Sequence, residues 1–167
     1  MMTLYHGSDI VVKNPLAKAG RRNLDFGRGF YLTNLRGQAE SWAQVIASRK
    51  GRNNIPILDI YEFNETLVGN YRYKKFESYN LEWLEYVIDC RQGGTMQEAY
   101  DIVEGGVAND NVIDTVEDYE KGIITAEQAL GQLRYKKVNH QICILDQDAI
   151  DKCLKFKESI KLKPEED

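Results

Sequence analysis

Apolar residues recur along this chain with two different periods, and the two periods predict a mixture of short strands and amphipathic helices. Strand-like runs occupy residues 3–6, 29–33, 55–63, 101–104 and 140–145. Both faces of the run 140–145 are mostly apolar, which is typical of a central strand. We interpret this run as the last clear strand of the chain.

Helical spacing appears in the segments between these runs. Asn34 is the expected N-cap of a helix that reaches Arg49, and its apolar positions face inward at Leu35, Ala39, Trp42, Ala43 and Ile46. A second helix is expected after Asn80, with apolar residues at helical spacing. Two more follow residue 109, the second opened by a capping-box pattern of Thr125 and Gln128.

The length and composition favour one folded domain. The chain has 167 residues, 43% of them hydrophobic, and neither an internal repeat nor an interdomain linker interrupts the pattern. We expect the domain to span residues 1–155 and the charged residues 156–167 to form a tail that frays.

Composition also limits the setting in which the protein works. No apolar run reaches the length of a membrane span, and the start MMTLYHGSD lacks the features of a signal peptide, so a cytoplasmic location without membrane contact is expected. The three cysteines, Cys90, Cys143 and Cys153, form no CxxC pair and are odd in number. This argues against a disulfide framework and against a zinc ribbon.

Charge is unevenly distributed. The net charge is −4, yet residues 1–52 hold nine basic and three acidic residues, a local excess of +6. A basic first third suits a phosphate-bearing ligand or a nucleic-acid contact, whereas the acidic pI near 5.3 disfavours a nonspecific duplex binder. Solvated lysines and arginines are the simpler explanation for most of these charges.

Several familiar active sites lack their required residues. The chain contains no GxxxxGK[ST] loop, no HExxH and no GxSxG motif. With only His6 and His140 present, an all-histidine metal site is excluded and no metal is predicted, although carboxylate-bound magnesium stays open.

Three separated motifs carry the candidate chemistry: YHGS at residues 5–8, FGRGFYLTN at 26–34 followed by a helix with Trp42, and NHQICILD at 139–146. In this order they resemble the ADP-ribosyltransferase superfamily, in its poly(ADP-ribose) polymerase and diphtheria toxin-like branch. The chain is more narrowly similar to a small uncharacterised bacterial family of that clan, in which the stretch 106–111 also recurs. The resemblance implies an α+β fold with a split antiparallel sheet edged by helices, and NAD as substrate.

The first motif supplies three candidate binding residues. The resemblance implies that His6 hydrogen-bonds the adenosine ribose and that the Gly7 backbone pairs with the nicotinamide carboxamide. A glycine lets a ligand approach the backbone closely, and Ser8 shares a strand face with His6. The alternative is a surface histidine in a strand-to-loop turn.

The second motif supplies an aromatic pair. Tyr31 matches the central tyrosine of the family and Trp42 follows eleven residues later, so the resemblance implies that the two rings clamp nicotinamide. Stacking and cation-π attraction are worth roughly 1 to 2 kcal/mol per face. The alternative is that Trp42 is only a core anchor. By the same resemblance, Gly29 lets the chain approach NAD closely. Arg28 contacts the NAD diphosphate or the acceptor, and the alternative is a solvated arginine.

The third motif departs from the family pattern. Gln141 stands where most active relatives carry a glutamate that stabilises the oxocarbenium-like transition state. A glutamine keeps the hydrogen bond but loses the charge, and such a loss commonly costs about 2.7 to 4 kcal/mol. Either the acceptor provides a base, or another carboxylate such as Asp110 does, or NAD is bound without turnover. A purely structural glutamine is the further alternative.

Taken together, the resemblance implies a mono-ADP-ribosyltransferase with Gln141, His6 and Tyr31 as the catalytic set. ADP-ribose would move from NAD to an unidentified protein, nucleic-acid or small-molecule acceptor, with release of nicotinamide. A toxin or effector role, with an antitoxin-like protein partner, follows by analogy. The competing hypotheses are a catalytically silent NAD or ADP-ribose binding module and a protein-interaction domain.

Overall fold

The computed structural model describes residues 1–51 and 54–165, without the side chains of Asp110 and Asn111. The side chain of Asp110, a candidate carboxylate, therefore lies outside the described residues. The strands are β1 (Met2–Ser8), β2 (Phe30–Leu32), β3 (Ile57–Phe63), β4 (Tyr73–Lys75), β5 (Ile102–Gly105), β6 (Gln141–Ile144) and β7 (Leu154–Lys161). The α-helices are α1 (Arg36–Arg49), α2 (Leu81–Arg91), α3 (Asp110–Glu120), α4 (Ala126–Leu133) and α5 (Gln147–Cys153).

The strands form two sheets. The three-stranded sheet has the order β1-β3-β7 and is antiparallel throughout. The four-stranded sheet has the order β2-β6-β5-β4, in which only the β4–β5 pair is parallel. The fold is therefore α+β, and the central position expected for the strand at 140–145 is confirmed by β6, which lies between β2 and β5.

The two sheets meet at the edges of β1 and β2. Tyr5 and Thr33 form an isolated antiparallel bridge, with N···O distances of 2.8 and 3.0 Å. Because β1 and β2 are edge strands of different sheets, this bridge sets their relative position where the two strands begin to diverge.

Three groups of buried side chains hold these layers together. An inter-sheet cluster draws on both sheets, with Leu4 and Tyr61 from one and Ile142 from the other. A helix-side cluster packs α2, α3 and α4 against the opposite face of the four-stranded sheet. A smaller group, Ala39 with Leu58 and Ile60, joins α1 to the outer face of the three-stranded sheet.

The start of α1 differs from the expected cap. Leu35, not Asn34, is the N-cap, and its backbone N–H donates to the Thr33 hydroxyl at 3.1 Å. The Asn34 backbone N–H instead donates to His140 Nδ1 at 3.0 Å. Tertiary contacts to a distant histidine therefore displaced the local capping preference. The caps expected at Asn80 and at Thr125 with Gln128 are both confirmed.

The C-terminal segment also differs from the expectation. Strand β7 continues to Lys161, past the boundary expected at residue 155, and pairs with β3 along its length. The interpretation of residues 140–145 as the last strand was therefore wrong. None of the helices in the described ranges has the length and apolarity needed to cross a membrane.

Candidate functional site

The backbone pairing between β1 and β2 ends immediately beyond the Tyr5–Thr33 bridge. In a continued antiparallel ladder Gly7 and Tyr31 would form the next pair, but the described strands make no bridge there. Backbone groups alternate in direction along a strand, so the N–H and C=O of Gly7 point to the same side as those of Tyr5, towards β2. The Gly7 backbone groups thus face β2 without pairing with it, and we call this unpaired place the β1–β2 gap.

His6 lies beside this gap. Its Nδ1 atom is 2.7 Å from the Tyr31 carbonyl oxygen, and its ring packs on Phe30 with 4.4 Å between centroids. Since a carbonyl only accepts, Nδ1 carries the proton and Nε2 is the acceptor of a neutral ring. Burial lowers the pKa of His6, against the opposing effects of the Tyr31 carbonyl and of Asp59. A neutral imidazole with an accepting Nε2 is suited to a hydroxyl donor.

Gly7 has a packing role that its sequence context did not reveal. A Cβ atom at this position would lie 2.0 Å from the backbone oxygen of Ala39 and 2.9 Å from the backbone nitrogen of Ala43. Only a glycine therefore lets α1 cross β1 so closely. Ser8 is buried, and its hydroxyl donates to the Ile10 carbonyl at 2.7 Å, so it stabilises the turn after β1.

Tyr31 is held firmly in the helix-side cluster. Its hydroxyl donates to the Gly27 carbonyl at 2.5 Å and accepts from the Phe26 N–H at 3.1 Å. Burial raises its pKa well above the ordinary value. The hydroxyl therefore fixes the turn before β2, and its proton is engaged by the Gly27 carbonyl. Gly29 has a matching role, since a Cβ there would lie 2.6 Å from Cys143 Sγ.

Trp42 lies on the exposed face of α1. Its side chain is 49% exposed, whereas the buried positions of the helix are Ala39, Ala43 and Ala47. The expectation that Trp42 faces inward is therefore wrong, because the close approach of α1 to Gly7 leaves room only for alanines. The Arg49 guanidinium lies 5.4 Å from the Trp42 ring centroid. Within the described residues Tyr31 and Trp42 do not contact each other, since Tyr31 packs into the helix-side cluster.

Gln141 begins β6 and is 8% exposed. It lies opposite Gly105, and its Nε2 donates a long hydrogen bond of 3.5 Å to the Gly106 carbonyl. Tyr31 pairs with Cys143, two residues after Gln141, so Gln141 and Tyr31 share one face of the four-stranded sheet. The buried Gln141 amide thus lies on the side of the sheet that carries Tyr31, and its hydrogen bond to Gly106 is weak.

Arg28 lies apart from the β1–β2 gap. Its Nε donates to the Gly20 carbonyl at 3.0 Å, and its Nη2 donates to the Lys18 carbonyl. The side chain lines an open cavity of about 530 Å³ whose charged residues include Arg72, Asp101 and Asp146. Arg28 therefore fastens a neighbouring loop and is not among the residues that meet at the gap.

A polar chain across the four-stranded sheet was not expected from the sequence. His140 Nε2 lies 2.8 Å from Glu104 Oε1, and the Tyr73 hydroxyl donates to the other oxygen of the same carboxylate. Burial by itself raises the pKa of Glu104, but the hydrogen bonds from His140 and Tyr73 outweigh it and leave the pKa below its ordinary value. We call these three residues the His140 cluster.

The His140 cluster connects to the start of α1. His140 Nδ1 accepts from the Asn34 N–H, which leaves the proton on Nε2 for Glu104. Gln38 Nε2 donates to the His140 carbonyl at 2.6 Å. A glutamate within the apolar run IVEGG was the one sequence signal of this network, because a buried carboxylate needs hydrogen-bond partners.

Comparison with known proteins gives a family and no further relatives. No curated protein and no solved structure matches the chain. A family model described as a protein of unknown function, DUF3990, matches residues 2–156. Because this match covers most of the chain, the protein belongs to the DUF3990 family.

Proposed function

We propose that this protein is a mono-ADP-ribosyltransferase, which moves ADP-ribose from NAD to an acceptor and releases nicotinamide. The observation that carries the proposal is the β1–β2 gap, where His6, Gly7 and Tyr31 come together although they belong to two motifs that lie far apart in sequence. The sequence motifs suggest NAD, and the gap offers the backbone and imidazole groups that such a ligand needs.

His6 and Gly7 would hold the two ends of NAD. The accepting Nε2 of His6 is suited to an adenosine ribose hydroxyl. The N–H and C=O of Gly7, directed towards β2, match the C=O and NH₂ of a carboxamide, which pairs with a backbone in the manner of a neighbouring strand. Both contacts hold NAD in place without supplying charge to the reaction.

The exposure of the two rings supports an unequal share in the proposed nicotinamide contact. Trp42 exposes about half of its side chain on the helix that crosses Gly7, and the ring face turned away from the Arg49 guanidinium is the one left to stack on a flat cationic group. Tyr31 offers only a ring edge or face at the border of the helix-side cluster, since its hydroxyl is engaged. We therefore assign the larger share of nicotinamide stacking to Trp42.

Gln141 decides between turnover and binding alone. When the glycosidic bond breaks, positive charge develops on the ribose, and a neutral amide stabilises it less than a carboxylate. Glu104 does not replace that charge, because its carboxylate is bound by His140 and Tyr73 on the opposite face of the sheet. The second candidate function, favoured by the neutral Gln141, is therefore that of an NAD-binding module without catalysis.

The proposal is tested by nicotinamide release from labelled NAD. Gln141→Glu restores the missing charge and should raise acceptor-independent release by roughly 100-fold. Gln141→Ala should lower both release and transfer to proteins or nucleic acids of a bacterial lysate. Gln92→Glu, an exposed change at the end of α2, is the matched control and should leave release unchanged.

Folded variants with equal release would remove Gln141 from the site. No release by any variant, together with no NAD binding by calorimetry, would reject the proposed function. NAD binding without release by the unmodified protein would establish the silent module.

A further inference from the structure

The loop between α4 and β6 is unusual for an acidic protein. Tyr135 is 87% exposed, more than any other large apolar or aromatic residue in the described ranges. It is flanked by Arg134, Lys136 and Lys137, so four consecutive residues carry a charge of +3 in a chain of net charge −4. A tyrosine ring gains nothing from such exposure in the isolated protein, since about 25 cal/mol per Å² of apolar surface is forgone.

A groove lies beside this loop. Its volume is about 350 Å³, its apolar lining comes from Leu130, Leu133 and Val138, and Arg134 and Lys136 also line it. Asn80 adds a polar group to the lining. A flat ligand with an anionic group would therefore find an apolar surface and two cations at one place.

The groove is fixed to the start of β6. Tyr79, which lines the groove and is 7% exposed, has its hydroxyl 3.1 Å from Asn139 Oδ1 and 2.8 Å from the Val107 carbonyl. Asn139 Oδ1 also accepts from the Val107 N–H at 2.7 Å. Since Gln141 follows Asn139 by two residues, a ligand in the groove lies near the strand that carries Gln141.

We propose that the loop 134–137 and this groove bind single-stranded nucleic acid. Proteins that bind single strands combine cations along the phosphates with exposed aromatic rings on which bases stack, and this loop has both. An acidic peptide would use the cations but not the ring, and a duplex keeps its bases stacked out of reach. The acidic remainder of the protein also repels an extended duplex. If the proposed function holds, on which this step rests, the bound single-stranded nucleic acid is the acceptor of ADP-ribose.

The test is fluorescence anisotropy with a labelled single-stranded oligonucleotide of mixed sequence and no NAD. Tyr135→Ala should weaken binding about 10-fold by removing one stacked base. Lys136→Gln with Lys137→Gln should reduce the slope of log K against log salt by about 1.4, since a single strand contributes roughly 0.7 per neutralised phosphate. The pair Lys155→Gln with Lys161→Gln, exposed on β7, is the matched control and should change neither quantity.

Equal affinity of the Tyr135→Ala variant would overturn the inference, and so would equal binding of a duplex or a polyglutamate peptide by the unmodified protein. This outcome is distinct from failure of the proposed function, because oligonucleotide binding is measured without NAD. If the oligonucleotide binds and NAD does not, the nucleic-acid site stands and the transferase proposal fails.

Discussion

The two histidines of the chain both bond to the β2–α1 segment, but they do so in opposite ways. His6 donates from Nδ1 to the Tyr31 carbonyl, and the described residues offer its Nε2 no hydrogen-bond partner. His140 accepts at Nδ1 from the Asn34 N–H and donates from Nε2 to Glu104. The His6 imidazole therefore has one hydrogen-bonded nitrogen, whereas both nitrogens of His140 are hydrogen-bonded.

This difference separates a binding region from a supporting region. A polar atom with a lasting protein partner contributes to stability, whereas a solvent-accessible polar atom without a protein partner stays free to bind a ligand. The β1–β2 gap around His6 therefore has the character of a site. The His140 cluster has the character of a brace that holds the start of α1 and, through α1, Trp42.

The largest effect is expected from Gly7→Ala, which breaks the His6 region itself. The new Cβ would meet backbone atoms of α1, which cannot move aside as a flexible side chain does, so the free energy of unfolding should fall by about 3 kcal/mol. The measurement is urea unfolding. Gly37 lies in α1 with open space where a Cβ would be, so Gly37→Ala should instead raise the free energy of unfolding by roughly 0.5 kcal/mol. Equal stability of both variants would show that α1 does not depend on Gly7.

The second effect concerns the His140 cluster. Glu104→Gln removes the charge that two donors share and should lower the free energy of unfolding by about 2 kcal/mol. Glu82→Gln is the control, since Glu82 is 59% exposed and its ion pair with Lys74 should contribute at most about 0.5 kcal/mol. If Glu104→Gln also weakens NAD binding, the brace acts on the site through α1. A loss no larger than that of Glu82→Gln would contradict the role of a brace.

A smaller effect on the stability of the protein is expected when the pH is lowered. The pKa of His6 is lowered in the folded protein, so the unfolded chain binds the proton more readily, and stability should be complete above the ordinary value of 6.5 and fall below it. The slope from this group is at most about 1.4 kcal/mol per pH unit. Thermal unfolding of the wild type and of His6→Asn between pH 7.5 and 5.5 measures the difference. Parallel pH profiles would show that His6 is not held neutral.

Part of the fold was readable from the sequence because its signals are local. The capping residues Asn80 and Thr125 act within their own first turn, and the apolar run before Asp146 identifies β6 whatever it pairs with. Strand β7 was missed for a physical reason. Its ladder with β3 contains an irregularity at Ile60 and Tyr61, so Phe156 and Ile160 pack in different clusters although four residues separate them. The alternation on which strand prediction relies is therefore interrupted.

The site was predictable only as far as its motifs extend. YHGS and FGRGFYLTN placed His6, Gly7 and Tyr31, which the structure brings to one gap. The exposure of Trp42 was not predictable, because it depends on how closely α1 approaches Gly7. The His140 cluster joins residues 73, 104 and 140, and only tertiary pairing brings such distant positions together.

The central claim, that NAD binds at the β1–β2 gap against Trp42, is tested most directly by tryptophan fluorescence. The chain has two tryptophans, and Trp83 is fully buried in the helix-side cluster, so its emission provides an internal reference. We predict that NAD quenches the wild-type emission, that Trp42→Phe abolishes the quench, and that His6→Ala shifts it to higher NAD concentration. NAD binding confirmed by calorimetry, with the full quench retained in Trp42→Phe, would contradict the claim.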